Sequence, residues 1–274
     1  MDVLRYRLDD LRRLASALLA KVGVAPARAS ALATHLLWFD AAGVASFGIE
    51  TLPAWLERLD SGQVDPVAEG RVTMERAATA VFDGQNGLPP LVLARAAGIA
   101  AEKARELGLG LVRLVQVGPM GPAAAVAADL AIGPFAAFFL GPGPSWALAL
   151  PSEEGLPAVY DTALEWGKSA GGARSSGPSP DRIVPWAHLL VPEGGWLVGA
   201  VAVTAIEPLA TLQERVGAEV KRGGEGPGRL LPTAWEGRRR EAREHGVPIF
   251  NAAWKKLKRW ADRFEVETPA PCNP

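Results

Sequence analysis

The sequence predicts an α/β fold on three observations. Between Val72 and Leu140, strand-like runs alternate with helical ones, the pattern of a sheet covered by helices. Ahead of that region, apolar residues recur at helical spacing through three successive segments. Behind it, the chain closes on two further helices. A chain of 274 residues can bury one large core or two modest ones, and 49% hydrophobic with 22% charged residues excludes a disordered polymer.

The first helix places Leu11, Leu14, Ala15, Leu18, Leu19 and Val22 on one face. Asp9 and Asp10 sit at the positive end of its dipole and Gly23 stops it. Pro26 starts a second helix that reaches Asp40, with Ala29, Leu32, Ala33, Leu36 and Leu37 inward. A third carries Trp55, Leu56 and Leu59 and ends at Ser61-Gly62. Val72–Glu75 and Ala80–Asp83 read as short strands, followed by an Asp83-Gly84 turn. Pro89 and Pro90 suit the first turn of a helix running to about Leu107. Leu111–Gln116 is a strand, Ala123–Ala131 a helix and Phe135–Leu140 another strand, closed by a Gly141-Pro-Gly-Pro144 turn. From Gly167 to Gly195 the composition becomes that of a link, with Gly171-Gly-Ala-Arg-Ser-Ser-Gly-Pro-Ser-Pro180 at its centre. Leu197–Ile206 reads as a buried strand and Leu209 to about Arg222 as a helix; Gly223–Gly228 is a second link. The last helices are Trp235–His245 and Asn251–Phe264, the latter with Trp254, Leu257, Ala261 and Phe264 on one face.

Composition narrows the function classes. A net charge of −1 gives no electrostatic reason to expect nucleic acid or an anionic membrane as a partner. Residues 221–263 hold 12 Lys/Arg against 5 Asp/Glu, a local excess read as a solvated face. The longest apolar region, Pro122–Pro151, is broken by Asp129, Gly133 and Pro134, well short of the ~20 uninterrupted residues of a membrane span. No secretory leader is read in Met1–Arg13, and the single Cys272 offers neither a disulfide framework nor a thiolate metal site, so a cytoplasmic setting is expected. His35, His188 and His245 each stand alone, and no metal site is expected. Gly167-Lys-Ser-Ala-Gly171 matches Gly-x-Ser-x-Gly with Asp181 and His188 following, but at spacings too short for a hydrolase triad. Gly108-Leu-Gly110 lacks the third glycine of a dinucleotide fingerprint, and no Walker-type loop is present.

The stretch Asp40-Ala-Ala-Gly-Val-Ala-Ser-Phe-Gly-Ile-Glu-Thr-Leu-Pro53 joins the second and third helices, where Gly43 and Gly48 free the backbone to present side chains to a pocket. It resembles the signature of the malate/L-lactate dehydrogenase-like oxidoreductases, the NAD(P)-dependent family that includes ureidoglycolate and diketogulonate reductases. There the pattern is Asp, a spacer, Gly-Val, Ser-His-Gly, then Arg-Leu-Pro. The chain carries Asp40, Gly43, Val44, Ser46, Gly48, Leu52 and Pro53 of it, with Phe47 at the family's catalytic His and Thr51 at its substrate-binding Arg. A second family segment, His-x-Gly after a strand, corresponds to Val115-Gln-Val-Gly-Pro-Met-Gly121, where Val117 or Pro119 takes the histidine's place. Val159-Tyr-Asp-Thr-Ala163 resembles the family strand that lines the dinucleotide site, which makes Asp161, Thr162 and Ala163 the cofactor-binding candidates. Read from the residues alone, Asp161 is equally a strand-end carboxylate capping the next turn. Leu231-Pro-Thr-Ala-Trp-Glu236 resembles the family's Pro-Gly-Glu helix start with its contact residues altered. The likeness is strongest over 9–84 and 229–266 and weakest over 167–200.

The resemblance implies a dehydrogenase-like fold distinct from Rossmann domains: an N-terminal three-helix segment, a central mixed sheet covered by helices, and C-terminal helices packing back. It divides the chain into 1–75 with 229–274, and a sheet domain over 76–228 whose cofactor region is shortened near 167–195. It also implies a homodimer. Proton transfer to a substrate hydroxyl needs a group such as His, and holding a carboxylate needs a cation; Phe47 and Thr51 supply neither. No catalytic residue is therefore assigned. Ser46, Phe47, Gly48, Thr51, Val117 and Pro119 mark the ancestral pocket positions. The expectation is a non-catalytic scaffold that binds a ligand or protein partner. The alternatives are an NAD(P)-dependent reductase of a 2-keto acid or cyclic imine, with Asp161 or a water as proton source, and an accessory subunit of an active relative. The cofactor, if there is one, is NAD or NADP.

Overall fold

Apolar periodicity and proline–glycine punctuation become elements close to the expected places. The computed structural model describes residues 3–142, 145–167, 191, 195–223, 226 and 228–272. The chain opens with β1 (Val3–Tyr6), α1 (Leu8–Lys21), α2 (Pro26–Ala41) and α3 (Leu52–Asp60). It continues through β2 (Arg71–Glu75), β3 (Thr79–Asp83), α4 (Pro89–Leu107), β4 (Leu109–Val115) and α5 (Ala124–Ile132). Then come β5 (Phe135–Leu140), β6 (Trp146–Leu150), β7 (Ala158–Asp161) and α6 (Thr162–Gly167). The last elements are β8 (Trp196–Ala202), α7 (Leu209–Gly223), β9 (Arg229–Leu230), α8 (Pro232–His245), β10 (Val247–Phe250) and α9 (Asn251–Phe264). Ser169, Asp181 and His188 of the Gly-x-Ser-x-Gly reading lie outside the described residues, as do the 171–180 link and part of the 223–228 one.

The backbone forms two compact units, Met1–Val67 with Trp235–Pro274, and Ala68–Ala234. In the first, α1 buries Leu11, Leu14, Ala15, Leu18 and Leu19, the stripe its spacing dictates. α2 buries Leu32, Leu36, Leu37 and Phe39 and, in its last turn, Asp40. The C-terminal α9 packs back on α1 and α3, as expected, burying Leu257 and Ala261. Trp254 at its start stacks on Tyr6 with ring centroids 4.1 Å apart. The sequence reading had no place for β1 and β10. They pair antiparallel from Val3–Phe250 to Tyr6–Val247, so each short strand is defined by a partner more than 240 residues away.

The second unit holds an eight-stranded sheet in the order β2-β3-β4-β8-β5-β6-β7-β9. Only β3 and β4 run parallel; every other neighbouring pair is antiparallel, so the sheet is mixed as expected. α4 covers β4 and β8, and α5 covers β5, β6 and β7. Gly108 ends α4 in the left-handed conformation (φ 83°), its N–H donating to the Ala104 carbonyl. One sequence expectation needs correction, and a strand went unread. The run Leu197–Ile206 is not all strand: β8 stops at Ala202, and Val203–Ala205 turn as a short 3-10 helix that leaves Ile206 74% exposed. β6 is a further strand, its alternating burial hidden in a sequence that reads as uniformly apolar.

Candidate functional site

The Asp40–Pro53 stretch is built around a buried carboxylate. Asp40 is 7% exposed, and its Oδ2 accepts the Ile49 N–H at 2.7 Å, tying the end of α2 to the far side of the loop. Between them the chain makes two 3-10 turns, Ala45–Phe47 and Ile49–Thr51, then enters α3. Gly48 is obligatory here, because a Cβ would lie 2.2–2.5 Å from the Asp40 carboxylate. That close approach explains why this Asp and this Gly occur together.

The side chains at the positions singled out by the resemblance are accounted for locally. Phe47 is half-buried, its ring centroid 6.0 Å from that of Phe39. Phe39 in turn meets His35 edge-on at 5.4 Å and Trp38 at 5.0 Å, and Trp38 meets Trp235 at 5.1 Å. Phe47 thus extends an aromatic cluster. The Thr51 hydroxyl donates to the Gly48 carbonyl at 2.8 Å and closes its own turn. Ser46 is exposed.

Glu50, which sequence reasoning passed over, has the unusual environment. It is half-buried and accepts the Phe250 N–H, and burial raises its pKa. Its Oε1 is buried without a hydrogen-bond partner among the described residues. The only sequence signal was a carboxylate placed between Phe47 and Thr51. Burial pushes Asp40 up to about 7; the Ile49 N–H opposes that rise and the neighbouring Glu50 adds to it. Burial also pushes the His35 imidazole down to about 4.

An acid whose folded pKa lies above its unfolded value binds its proton more tightly when folded. Its contribution is full below about pH 4 and fades as pH rises through about 7. Asp40→Asn keeps an acceptor for Ile49 and never ionises. Its stability relative to wild type should therefore rise between pH 4 and pH 8, by on the order of 3 kcal/mol. Urea denaturation of both proteins across that range measures the difference, in which the titrations of Asp161 and His35 cancel. A flat difference would mean that Asp40 does not titrate in this window.

The second unit contributes the other candidate positions. β3 and β4 end side by side; Gly84 N–H donates to the Val115 carbonyl and Asn86 N–H to the Gln116 carbonyl, both at 2.8 Å. Gln85, Asn86 and Gln116 are exposed and all left-handed, with φ of 51°, 54° and 53°. Three such non-glycine residues at the carboxyl ends of a parallel pair are a strained surface of the kind that ligand sites use, at about 1 kcal/mol or more each. The Asp83-Gly84 and Asn86-Gly87 pairs signal a turn here, but not the left-handed glutamines. Val117 is buried beneath this corner and Pro119 is exposed.

Asp161, at 2% exposure, accepts the Ala124 N–H (2.9 Å) on Oδ2 and the Ala163 N–H (2.8 Å) on Oδ1, with the Ala123 N–H also bonded to it. It closes the N-termini of α5 and α6 together. Burial pushes it up to about 7 against the pull of those three donors. The Thr162 hydroxyl accepts the Trp146 N–H at 3.0 Å and donates to the Trp146 carbonyl at 3.2 Å. Ala163 is buried and has no polar side-chain atom. As placed, every polar side-chain atom among these residues is engaged with backbone. Among the described residues no group of three His, Cys, Asp or Glu could hold a metal ion, and no helix is long and apolar enough to cross a membrane.

Comparison with known proteins agrees with this architecture. Residues 6–139 match the malate/L-lactate dehydrogenase family model. The malate dehydrogenase of Pyrococcus horikoshii is 32% identical over 111 residues, 40% of this chain and 31% of that protein. The L-sulfolactate dehydrogenase of Methanocaldococcus jannaschii is 33% identical over 104 residues, 38% of this chain and 30% of that one. The chain thus matches less than a third of the length of these relatives. In three dimensions, the solved malate dehydrogenase from Pyrococcus horikoshii superposes with a TM-score of 0.83 over 97% of each chain at 19% identity. The chain is similar to the malate/L-lactate dehydrogenases in sequence over residues 6–139, and shares the fold of a solved malate dehydrogenase over nearly its whole length.

Proposed function

We propose that this chain is a catalytically silent descendant of that family, a scaffold that binds a ligand or protein partner. One observation carries the reading: at the position of the family's imidazole, Phe47 packs on Phe39, and at the position of its guanidinium, Thr51 gives its hydroxyl to the loop's own backbone. Neither can move a proton or hold a carboxylate. The engaged polar atoms of Asp161 and Thr162 support the same reading. A homodimer in the cytoplasm, or a pairing with an active paralogue, belongs to this proposal as its assembled form.

A second reading, an NAD(P)-dependent oxidoreductase acting on a 2-keto acid or cyclic imine, draws on Glu50. A carboxyl group of raised pKa with one unpartnered oxygen, three residues from Phe47, is a group that can hold and release a proton.

The two separate in one assay series with NADH or NADPH and a panel of 2-keto acids and cyclic imines. Wild type should give no turnover above the uncatalysed rate. The double variant Phe47→His, Thr51→Arg should gain activity by about 10²-fold or more if the scaffold still seats the reactants. Turnover by wild type that is lost in Glu50→Gln would overturn the silent-scaffold reading and establish the second.

A further inference from the structure

We propose that the space between α7 and the sheet at β6, β7 and β9 is a binding site for a small apolar carboxylate, one ring or a short branched chain bearing a single acid group. The site uses none of Ser46, Phe47, Gly48, Thr51, Val117 or Pro119, although Tyr160 and Leu231 belong to segments that resemble the family's cofactor strand and helix start.

The alternation of the strands creates it. Ala147, Ala149, Val159 and Asp161 point to the buried face. Leu148, Leu150, Ala158 and Tyr160 point the other way and are only half-buried. α7 lies over this second face yet fully buries a single side chain, Val216. A 15-residue amphipathic helix set this loosely leaves a cavity of about 180 Å³, walled by Leu148, Leu150, Ala158, Val216, Val220 and Leu231. Space of that order takes one benzene-sized ring, roughly six to ten carbon atoms in all. Its aliphatic walls offer water few partners, so an apolar occupant is favoured.

The polar groups are few and their charge is uneven. Tyr160 and Arg229 face each other directly across the β7–β9 ladder, and the Tyr160 ring also meets the tilted ring of Trp146, centroids 4.7 Å apart. Glu219, on α7, pairs with Arg222 at 3.1 Å. Among the described residues Arg229 donates only to the Gly223 carbonyl, at 3.3 Å, and meets no carboxylate. Among the described residues the uncommitted charge at the cavity is therefore positive. A guanidinium beside an apolar chamber recognises a carboxylate on a hydrocarbon body.

The probe is 3-phenylpropionate, titrated into the full chain by calorimetry, with 3-phenylpropanol as the uncharged counterpart. Saturable binding of the acid is expected, with a Kd on the order of 1 mM or tighter and the alcohol about tenfold weaker. Arg229→Met changes an exposed side chain, so it leaves the fold intact and should bring the acid down to the level of the alcohol. Val220→Trp should fill the chamber and abolish both; Ala158→Leu, a smaller filler on the opposite wall, should weaken both by tenfold or more. No saturation by about 10 mM acid overturns the proposal, as does equal binding of acid and alcohol by wild type. So does acid binding that survives both fillers, which would place the ligand elsewhere.

Discussion

Gly110→Ala should cost the second unit about 3 kcal/mol or more. The added methyl would lie 1.9 Å from the Ala100 carbonyl oxygen, 2.8 Å from its carbon and 3.0 Å from Lys103 Cβ. The obstacle is helix backbone, which has no rotamer to turn aside, so α4 would have to lift from β4. The helix can approach this closely because the residues it buries include Ala96, Ala97, Ala100, Ala101 and Ala104. Lifting it also pulls on buried Lys103, whose Nζ holds Glu75 at 2.8 Å and the carbonyls of Arg76 and Ala77 at 3.0 and 3.2 Å. At about 2–4 °C per kcal/mol for a domain of this size, the melting temperature should fall by about 6–12 °C. The control is Gly237→Ala in α8, where nothing lies within 4 Å of the new Cβ and the helix should gain about 0.5–1 kcal/mol. If the two variants melt together, the contact between α4 and β4 is looser than described.

The contrast between α4 and the β1–β10 ribbon shows what a linear reading can reach. Pro89, Pro90 and Gly108 bracket α4 by local chemistry, so its limits follow from the residues inside it. β1 and β10 are four residues each and are strands only because they pair with one another. Nothing local distinguishes them from loops. The same division runs through the candidate sites. That Phe47 stands where the resemblance leads one to expect an imidazole is visible in the sequence, because the identity of one residue is a local fact. The left-handed Gln85 and Gln116 are not visible, because glutamine has no local preference for that conformation, whereas Asn86, which has one, gives only a weak local hint. Glu50 was equally hidden: its unpartnered oxygen depends on what tertiary packing excludes from it. Asp161 lies between these cases. A strand-end aspartate was legible as a cap for the turn after it, whereas its reach to Ala124, 37 residues earlier, was not.

Asp161→Ala should be as damaging as Gly110→Ala, and it also separates two roles for this carboxylate. Truncation leaves the N–H groups of Ala123, Ala124 and Ala163 without their acceptor in a buried setting. Each orphaned donor costs about 1–3 kcal/mol, and partial relaxation brings the expected total to about 3–5 kcal/mol. Asp161→Asn should recover only part of this, since its amide keeps one acceptor oxygen and turns an NH₂ toward a backbone donor. A residue that instead met a dinucleotide through this carboxylate would behave differently: its loss would weaken NADH binding while leaving the melting temperature nearly unchanged. The two quantities should therefore be measured on the same samples, with titrations at about 10 °C, below the lowered transition. The expected pattern is a large fall in melting temperature with no change in the nicotinamide fluorescence titration relative to wild type. The opposite pattern would return Asp161 to the cofactor site and remove a main support of the silent-scaffold reading.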